Sequence, residues 1–264
     1  ITHRQPVNWA ELGVECEPLA RLAGRTLGLP TQPGNQLQLI GSWQEAFENL
    51  LADIEQAESV CHLEFYIWHE GGKADEVAEA LIRASKRGVL CRVLLDAIGS
   101  RSFLKSDMAD KMVAAGISLQ PALAGGLLRA LFVRFDLRMH RKIVIVDGKI
   151  AYTGSLNMVD PRFFKKDAGV GQWVDAMVRV QGPAVESLAT TFLADWYVET
   201  DSTLEELRQN SGVVDQLDQG DCAVQVLPSG PASQSEAIEN VLLMAVYAAR
   251  HELVLTTPYF VPSE

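Results

Sequence analysis

A predicted β-hairpin near the middle of the chain constrains the fold more than any other stretch. Residues Ile143–Val146 are β-branched and apolar, Asp147-Gly148 is a strong hairpin-turn signal, and residues 149–153 have the composition of a returning strand. Two strands joined this tightly lie side by side and antiparallel. The hairpin therefore predicts a sheet in this part of the protein.

Polar residues flanking the hairpin are predicted to meet at its open end. A two-residue loop would place Thr153 opposite Lys142 and Ser155 opposite His140. Because His140 and Lys142 are two residues apart, their side chains share one face of the strand. The Asn157 amide follows closely, so an imidazole, an ammonium, a hydroxyl and an amide are expected to converge.

Asp147 is predicted to stabilise the turn. It lies seven residues from His140, roughly 23 Å along an extended strand at about 3.3 Å per residue, and its side chain has the opposite parity. We therefore expect its carboxylate to lie far from the imidazole.

The converging groups have the chemistry of a phosphoryl-transfer site. Histidine acts as a covalent nucleophile and as a proton shuttle near neutral pH. A lysine ammonium suits a phosphate oxygen, and hydroxyl and amide donors hold the remaining oxygens as charge builds in the transition state. Because Lys142 takes the charge-neutralising role of a divalent ion, we expect no metal and no other cofactor. The pattern predicts a phosphohistidine intermediate.

The spacing of these residues resembles the HKD signature of the phospholipase D superfamily. The matching positions are His140-x-Lys142, Asp147 and Gly154-Ser155-x-Asn157. The longer stretches 135–142 and 152–175 are similar to bacterial cardiolipin synthases, which carry two such motifs. The alternative is an ordinary hairpin with a surface histidine and lysine.

The resemblance implies both an activity and residue roles. It implies a phosphatidyltransferase that makes cardiolipin and glycerol from two phosphatidylglycerol molecules through a phosphatidyl-histidine. His140, Lys142 and Asp147 are the catalytic-motif residues that it implies, and Ser155 and Asn157 would bind the substrate phosphate. The partners implied are phosphatidylglycerol, an anionic phospholipid membrane, and a second motif-bearing half from the same chain or from a second copy.

A nucleophilic imidazole needs a partner for its second nitrogen, usually a carboxylate. Because Asp147 is too distant, we nominate Asp175, which stands among apolar residues of a strand predicted over 173–180. In related enzymes a downstream acid in a comparable place has this role. The alternative is a surface aspartate on an edge strand. Glu70 and Asp96, near strand ends, are further candidate cleft residues.

The net charge and its distribution along the chain indicate which kinds of partner the protein can bind. The chain carries a formal net charge of −11, so long-range repulsion from nucleic acid is expected. Residues 129–166 are locally basic, with nine Lys and Arg against three Asp. This clustering indicates a patch for a phosphate headgroup, and a solvated surface face is the alternative.

Two other functions stay open from the sequence. A hydrolase of the same superfamily, either a phospholipase or a nuclease, would resolve the intermediate with water. A catalytically incomplete half-domain would bind or regulate, since a second motif is absent from residues 1–264.

Alternating strand and helix patterns predict an α/β fold, a phospholipase D-like mixed β-sheet flanked by helices. The predicted domains are a lead-in over 1–36, a first domain with the motif over 37–200, a linker over 201–220, and the start of a second, pseudo-symmetric α/β half over 221–264. Segments 223–227, 240–249 and 253–255 repeat 37–40, 49–57 and 63–65 with an offset of about 191 residues. A second histidine is therefore expected near about position 331.

Composition and resemblance together predict a location. Four cysteines without CxxC spacing predict reduced, buried thiols, and no apolar run reaches the length of a membrane-spanning helix. We expect this chain to be soluble or peripheral. The resemblance implies transmembrane helices upstream and a bacterial inner-membrane location with the site on the cytoplasmic side. Segments 121–137 and 163–166 mix apolar and basic residues, which favours contact with a membrane interface, with ordinary core as the alternative.

Overall fold

A computed structural model of the protein describes residues 7–123, 138–164, 174–229 and 237–256. The chain divides into two compact units, one of residues 1–31 with 227–264 and one of residues 32–226. The described elements, in chain order, are α1 (Trp9–Leu12), α2 (Cys16–Leu27), β1 (Gln32–Ile40), α3 (Trp43–Glu55), β2 (Val60–Phe65), α4 (Lys73–Lys86), β3 (Leu90–Asp96), a 3₁₀ turn (Phe103–Lys105), α5 (Asp107–Ala114), β4 (Ser118–Ala122), β5 (Ile143–Val146), β6 (Ile150–Gly154), β7 (Met177–Gln181), α6 (Ala184–Glu199), α7 (Leu204–Gln209), β8 (Cys222–Val224) and α8 (Ala237–Ala248).

The larger unit is built on a mixed sheet, and this confirms the predicted α/β fold. Within the described residues the sheet has eight strands in the order β4-β3-β2-β5-β6-β7-β1-β8. β2, β3 and β4 run parallel, and each parallel step is bridged by a helix, α4 and then α5. The remaining neighbours pair antiparallel, so β5 and β6 form the predicted hairpin at the centre.

Helices cover both faces of this sheet. α3, α4 and α5 enclose one core, which includes Phe47, Leu63 and Val144. α6 encloses the other, which includes Ile145 and Phe192. Because strand side chains alternate, β5 sends successive residues into opposite cores and is buried on both sides.

Helix boundaries follow local signals. Ser42 caps α3, since its hydroxyl accepts the Glu45 N–H. α4 ends at Lys86 and is followed by Gly88 with φ 95°, a conformation that favours glycine. Among the described residues no helix is long and apolar enough to cross a bilayer.

The central turn has the geometry that its sequence favours. Asp147 and Gly148 have φ values of 52° and 62°, and the Lys149 N–H donates to the Val146 carbonyl at 3.0 Å. Two successive positive φ values are what a type I′ turn requires.

The strand register nevertheless differs from the predicted one by one residue. The ladder pairs Val146 with Ile150 and Ile143 with Thr153. The predicted pairing of Thr153 with Lys142 is therefore wrong. A third residue is accommodated between the strands after the turn, and it shifts every later pair by one.

Strands at one edge depart from the predicted boundaries. β1 begins at Gln32, five residues before residue 37, where the first domain was predicted to begin. β8, which lies in the segment predicted to begin a second half, pairs antiparallel with β1 in this sheet. Its residues 223 and 224 lie in the segment 223–227, which was predicted to repeat residues 37–40. The domain organisation of a longer protein stays a prediction.

The four cysteines are free thiols, as expected. Cys61 and Cys91 are buried and lie opposite each other on β2 and β3, whereas Cys16 is exposed. Hydrogen bonding to Cys91 and burial raise the pKa of Cys61 well above its ordinary value, which makes it a poor nucleophile.

The segment 201–220, predicted to be a linker, belongs to the larger unit and contacts its sheet through the buried polar residues His62 and Arg92. His62 is fully buried, its ring stacks on Phe192 at 4.9 Å between centroids, and its Nε2 donates to the Ser211 carbonyl at 3.1 Å. Arg92 donates to the Asn210 carbonyl at 2.8 Å. Burial, and then the charge of Arg92, lowers the pKa of His62 to about 4.

The buried imidazole of His62 predicts that the folded protein loses stability as the pH falls. Between its unfolded value of 6.5 and its folded value of about 4, the unfolded chain binds the proton that the folded protein excludes. Stability is thus fully present above the unfolded pKa and is lost as pH falls. When the pH falls from 7 to about 5, protonation of His62 in the unfolded chain should lower the unfolding free energy by about 2 kcal/mol.

The measurement is urea unfolding of the wild type and His62→Gln at both pH values. The glutamine amide can still donate to Ser211 but does not titrate, so the variant should lose about 2 kcal/mol less than the wild type on acidification. Equal losses would show that His62 is not buried in its neutral form.

Candidate active site

His140 lies at the open end of the central hairpin, just before β5, and its side chain is exposed. Its ring stacks on Tyr66, with centroids 4.3 Å apart and planes inclined by 29°. Tyr66 directly follows β2, the strand that pairs with β5. Sequence reasoning missed Tyr66. The available signal was its position immediately after an apolar strand.

The same aromatic ring supports Lys142. The Lys142 Nζ lies 5.7 Å from the centroid of Tyr66 and donates to the backbone carbonyl of His140 at 2.7 Å. The predicted imidazole and ammonium therefore both contact the ring of Tyr66, and the ammonium does so through a cation–π contact.

Burial and nearby charges shift the pKa values of His140 and Lys142. Burial, and then the charge of Lys142, lowers the pKa of His140, and Asp96 opposes this change. Burial also lowers the pKa of Lys142, and Asp175 opposes it. A lowered pKa increases the neutral fraction of the imidazole near pH 7, and the neutral ring is the nucleophilic form.

Asp96 holds the backbone that leads into His140. It is fully buried at the end of β3, where its Oδ1 accepts the Ile98 and Gly99 N–H groups at 2.9 and 2.8 Å. Its Oδ2 accepts the Met139 N–H at 3.3 Å. The sequence indicated Asp96 as a cleft residue, but its contacts are those of a buried anchor. Glu70, the other such candidate, is exposed.

Gly99 allows Tyr66 to take its position. A Cβ at Gly99 would lie 2.3 Å from the Tyr66 carbonyl oxygen and 2.9 Å from its ring. Any side chain there would displace the ring on which His140 stacks.

Two further motif residues have oriented side chains. The Asn157 Oδ1 accepts the Ile67 N–H at 3.1 Å, and this leaves its NH₂ group as a donor. The Ser155 hydroxyl donates to Asp175 at 2.7 Å and accepts the Ala176 N–H at 3.0 Å.

Asp175 is thus bound to Ser155, and its charge acts on Lys142. The carboxylate whose charge acts on His140 is Asp96. The pairing of Asp175 with His140 stays a prediction from the sequence. It would require the Asp175 carboxylate to leave or to share its bond with Ser155.

Asp147 is a structural residue of the turn. Its carboxylate accepts the backbone N–H groups of Glu58, Ser59 and Val60 and the Ser59 hydroxyl, at 2.7 to 3.2 Å. Burial by itself would raise the pKa of Asp147, but these donors hold it below its ordinary value. These contacts tie the hairpin turn to the loop before β2.

The predicted interfacial segments are only partly described. Residues 124–137 and the lysines at 165 and 166 lie outside the described residues. Phe163 is 46% exposed, and the Phe164 ring packs edge-on against His69 at 5.0 Å.

The family model and the curated proteins that match this chain carry the same family name. The family model "Cardiolipin synthase, PLD-like domain" matches residues 50–196. Cardiolipin synthase A of Yersinia pseudotuberculosis is 45% identical over 247 residues, which cover 94% of this chain and 51% of that protein. Cardiolipin synthase A of Yersinia pestis matches to the same extent. The chain spans about half the length of these curated relatives.

Solved structures of other proteins also match part of this chain. The phospholipase D family member Nuc from Salmonella typhimurium has 21% identity and a TM-score of 0.44, and the match covers 65% of this chain and 99% of that one. NucT from Helicobacter pylori has 13% identity and a TM-score of 0.47, with 62% and 96% covered.

The contacts of Asp147 predict that it stabilises the fold, and this role can be tested without an activity measurement. Asp147→Ala removes the acceptor of four donors and places alanine at positive φ, so it should lower the unfolding free energy by roughly 3 kcal/mol. Asp147→Asn keeps one acceptor oxygen and tolerates positive φ, so it should cost about 1 kcal/mol. Chemical denaturation checks both. Equal costs for the two variants would contradict this role.

Proposed function

Because the chain belongs to the cardiolipin synthase, PLD-like domain family, we propose that it provides one half of the active site of a phosphatidyltransferase. The substrates are two phosphatidylglycerol molecules, and the products are cardiolipin and glycerol. The observation that supports this most directly is that the His140 imidazole and the Lys142 ammonium both contact the Tyr66 ring.

In the first step a nitrogen of His140 bonds to the phosphorus of one phosphatidylglycerol. The P–O bond to its glycerol headgroup breaks, and glycerol leaves with a proton from a general acid. In the second step the primary hydroxyl of another phosphatidylglycerol attacks the same phosphorus and gives its proton to a base. The P–N bond breaks, and cardiolipin leaves a free His140.

The described side chains suit the charge that these steps develop. Lys142 and the NH₂ group of Asn157 contact the non-bridging phosphate oxygens, and each such donor contributes about 3 kcal/mol in the transition state. Ser155 takes part through its bond with Asp175, which holds its hydroxyl in place. The acid that protonates glycerol is a second histidine in the other half, supplied by the same chain or by a second copy.

The membrane supplies both substrates, so the full-length protein acts at an anionic phospholipid surface. We place it at the bacterial inner membrane with the site on the cytoplasmic side. Nucleic acid is not a substrate in this proposal, since the net charge of −11 opposes its approach.

His140→Ala in the full-length protein tests the nucleophile. No cardiolipin should form from labelled phosphatidylglycerol, because no phosphatidyl-enzyme can form. His69→Ala is the matched control and should keep most activity, since its ring contacts Phe164. Substantial turnover by His140→Ala would remove His140 from the mechanism. Wild-type protein that releases phosphatidate instead of cardiolipin would indicate hydrolysis by water.

Asp175→Asn tests the proposed anionic partner of the imidazole. The amide can still accept the Ser155 bond but carries no charge, so kcat should fall at least about tenfold with the fold intact. Ser155→Ala removes the bond between Ser155 and Asp175 but keeps the charge of Asp175. If Asp175 acts on His140, Ser155→Ala should lose less activity than Asp175→Asn. Near-normal rates for Asp175→Asn would limit Asp175 to a structural role.

A further inference from the structure

Three strand ends meet beside the motif histidine, and one short loop contacts the chain at each of them. This β3 loop consists of residues 96–100, that is, the last residue of β3 and the four residues that follow it. In the sheet β3 lies next to β2, and β2 lies next to β5. The β3 loop is therefore placed to fix where the end of β2 lies relative to the residues before β5.

Ser100 of the β3 loop holds the backbone that carries the Tyr66 ring. Ser100 is fully buried, its hydroxyl donates to the Tyr66 carbonyl at 3.0 Å, and the same hydroxyl accepts the Trp68 N–H at 2.9 Å. Trp68 is also fully buried and stacks on Phe103 of the 3₁₀ turn, with centroids 4.8 Å apart. The short segment from Tyr66 to Trp68 is therefore held at both of its ends.

Asp96, at the other end of the β3 loop, holds the residue before His140. Its buried carboxylate accepts the Met139 N–H at 3.3 Å and the Gly99 N–H at 2.8 Å. Gly99 lies against Tyr66, because a Cβ there would be 2.3 Å from the Tyr66 carbonyl oxygen and 2.9 Å from its ring. The β3 loop thus contacts the chain on both sides of the stack between Tyr66 and His140.

We propose that Tyr66 is a positioning residue of the active site and that the β3 loop holds its ring against the His140 imidazole. The stacked ring restricts rotation of the imidazole, and its π electrons attract the Lys142 ammonium, 5.7 Å from the ring centroid. The nucleophile and the cation are thus oriented before substrate binds, which lowers the entropy that the reaction must lose. This inference deepens the proposed function, and its activity readout rests on that function.

Two substitutions of Tyr66 in the full-length protein separate the ring from its hydroxyl. Tyr66→Leu removes the ring, so kcat for cardiolipin formation should fall by about 10²-fold. KM should change little, since a loosely held nucleophile still allows substrate to bind. Tyr66→Phe keeps the ring and should recover most of the wild-type kcat. A loss in Tyr66→Phe as large as in Tyr66→Leu would assign the effect to the hydroxyl and overturn the proposal.

A pair of glycine substitutions tests the β3 loop. Gly99→Ala places a methyl group against Tyr66, so kcat should fall by at least about tenfold although the motif residues are all present. Gly41→Ala is the matched control. Gly41 is exposed, and among the described residues a Cβ there would meet no atom within 4 Å beyond its chain neighbours. This control should keep the wild-type kcat. A wild-type kcat in Gly99→Ala would overturn the role of the loop.

Histidine-selective NMR of the same proteins gives a readout that needs no activity. The His140 ring resonances are identified by their absence from His140→Ala. In the wild type they should be shifted upfield by the ring current of Tyr66. The shift should persist in Tyr66→Phe and Gly41→Ala, disappear in Tyr66→Leu, and change in Gly99→Ala.

The outcomes separate positioning from the reaction itself. Absence of the wild-type ring-current shift, or a wild-type kcat in Tyr66→Leu, would overturn the proposal. The expected shifts in a protein that makes no cardiolipin would support the hold of Tyr66 on His140 and overturn the proposed function. If Gly99→Ala does not fold, Ser100→Ala takes its place with the same expected changes, since it removes both bonds to the Tyr66 segment and adds no atom.

Discussion

The antiparallel pairing of β5 with β2 is the constraint on which the rest of the site depends. It joins residues 61–64 to residues 143–146 and so brings the end of β2, with Tyr66, beside the start of β5, with His140. A slip of one residue would exchange the two faces of β5 and move its apolar side chains out of their cores. Burial on both sides of β5 therefore fixes the register, and the register fixes the distance between the two rings.

Contacts at both ends of β5 reinforce this pairing. At the turn, the Asp147 N–H donates to the Val60 carbonyl while the carboxylate takes the donors that precede β2. At the open end, Asp96 and Asp195 hold the residues on either side of His140. The position of the exposed imidazole thus depends on two carboxylates that hold the neighbouring residues Met139 and Arg141. Ordered surroundings of this kind reduce the reorganisation that a charged transition state demands.

The sequence predicted those features that depend on neighbouring residues. The hairpin turn follows from Asp147-Gly148, which adopts positive φ readily, and the start of α3 follows from the Ser42 cap. The identity of the motif residues could be read because their spacing is local. The alternation of strand and helix likewise predicted a mixed sheet with helices on both faces, since such patterns bury one side of each element.

Only the tertiary structure decided how distant segments meet. The stack of Tyr66 on His140 and the ion pair of Arg141 with Asp195 each join chain segments that are far apart in sequence. Asp175 shows the same limit, because its bond to Ser155 depends on the pairing of β6 with β7. The sequence by itself determined which chemical groups are present and how each local turn is formed. Their neighbours, burial and protonation depend on long-range packing, because the free energy of a charge is set by everything that surrounds it in space.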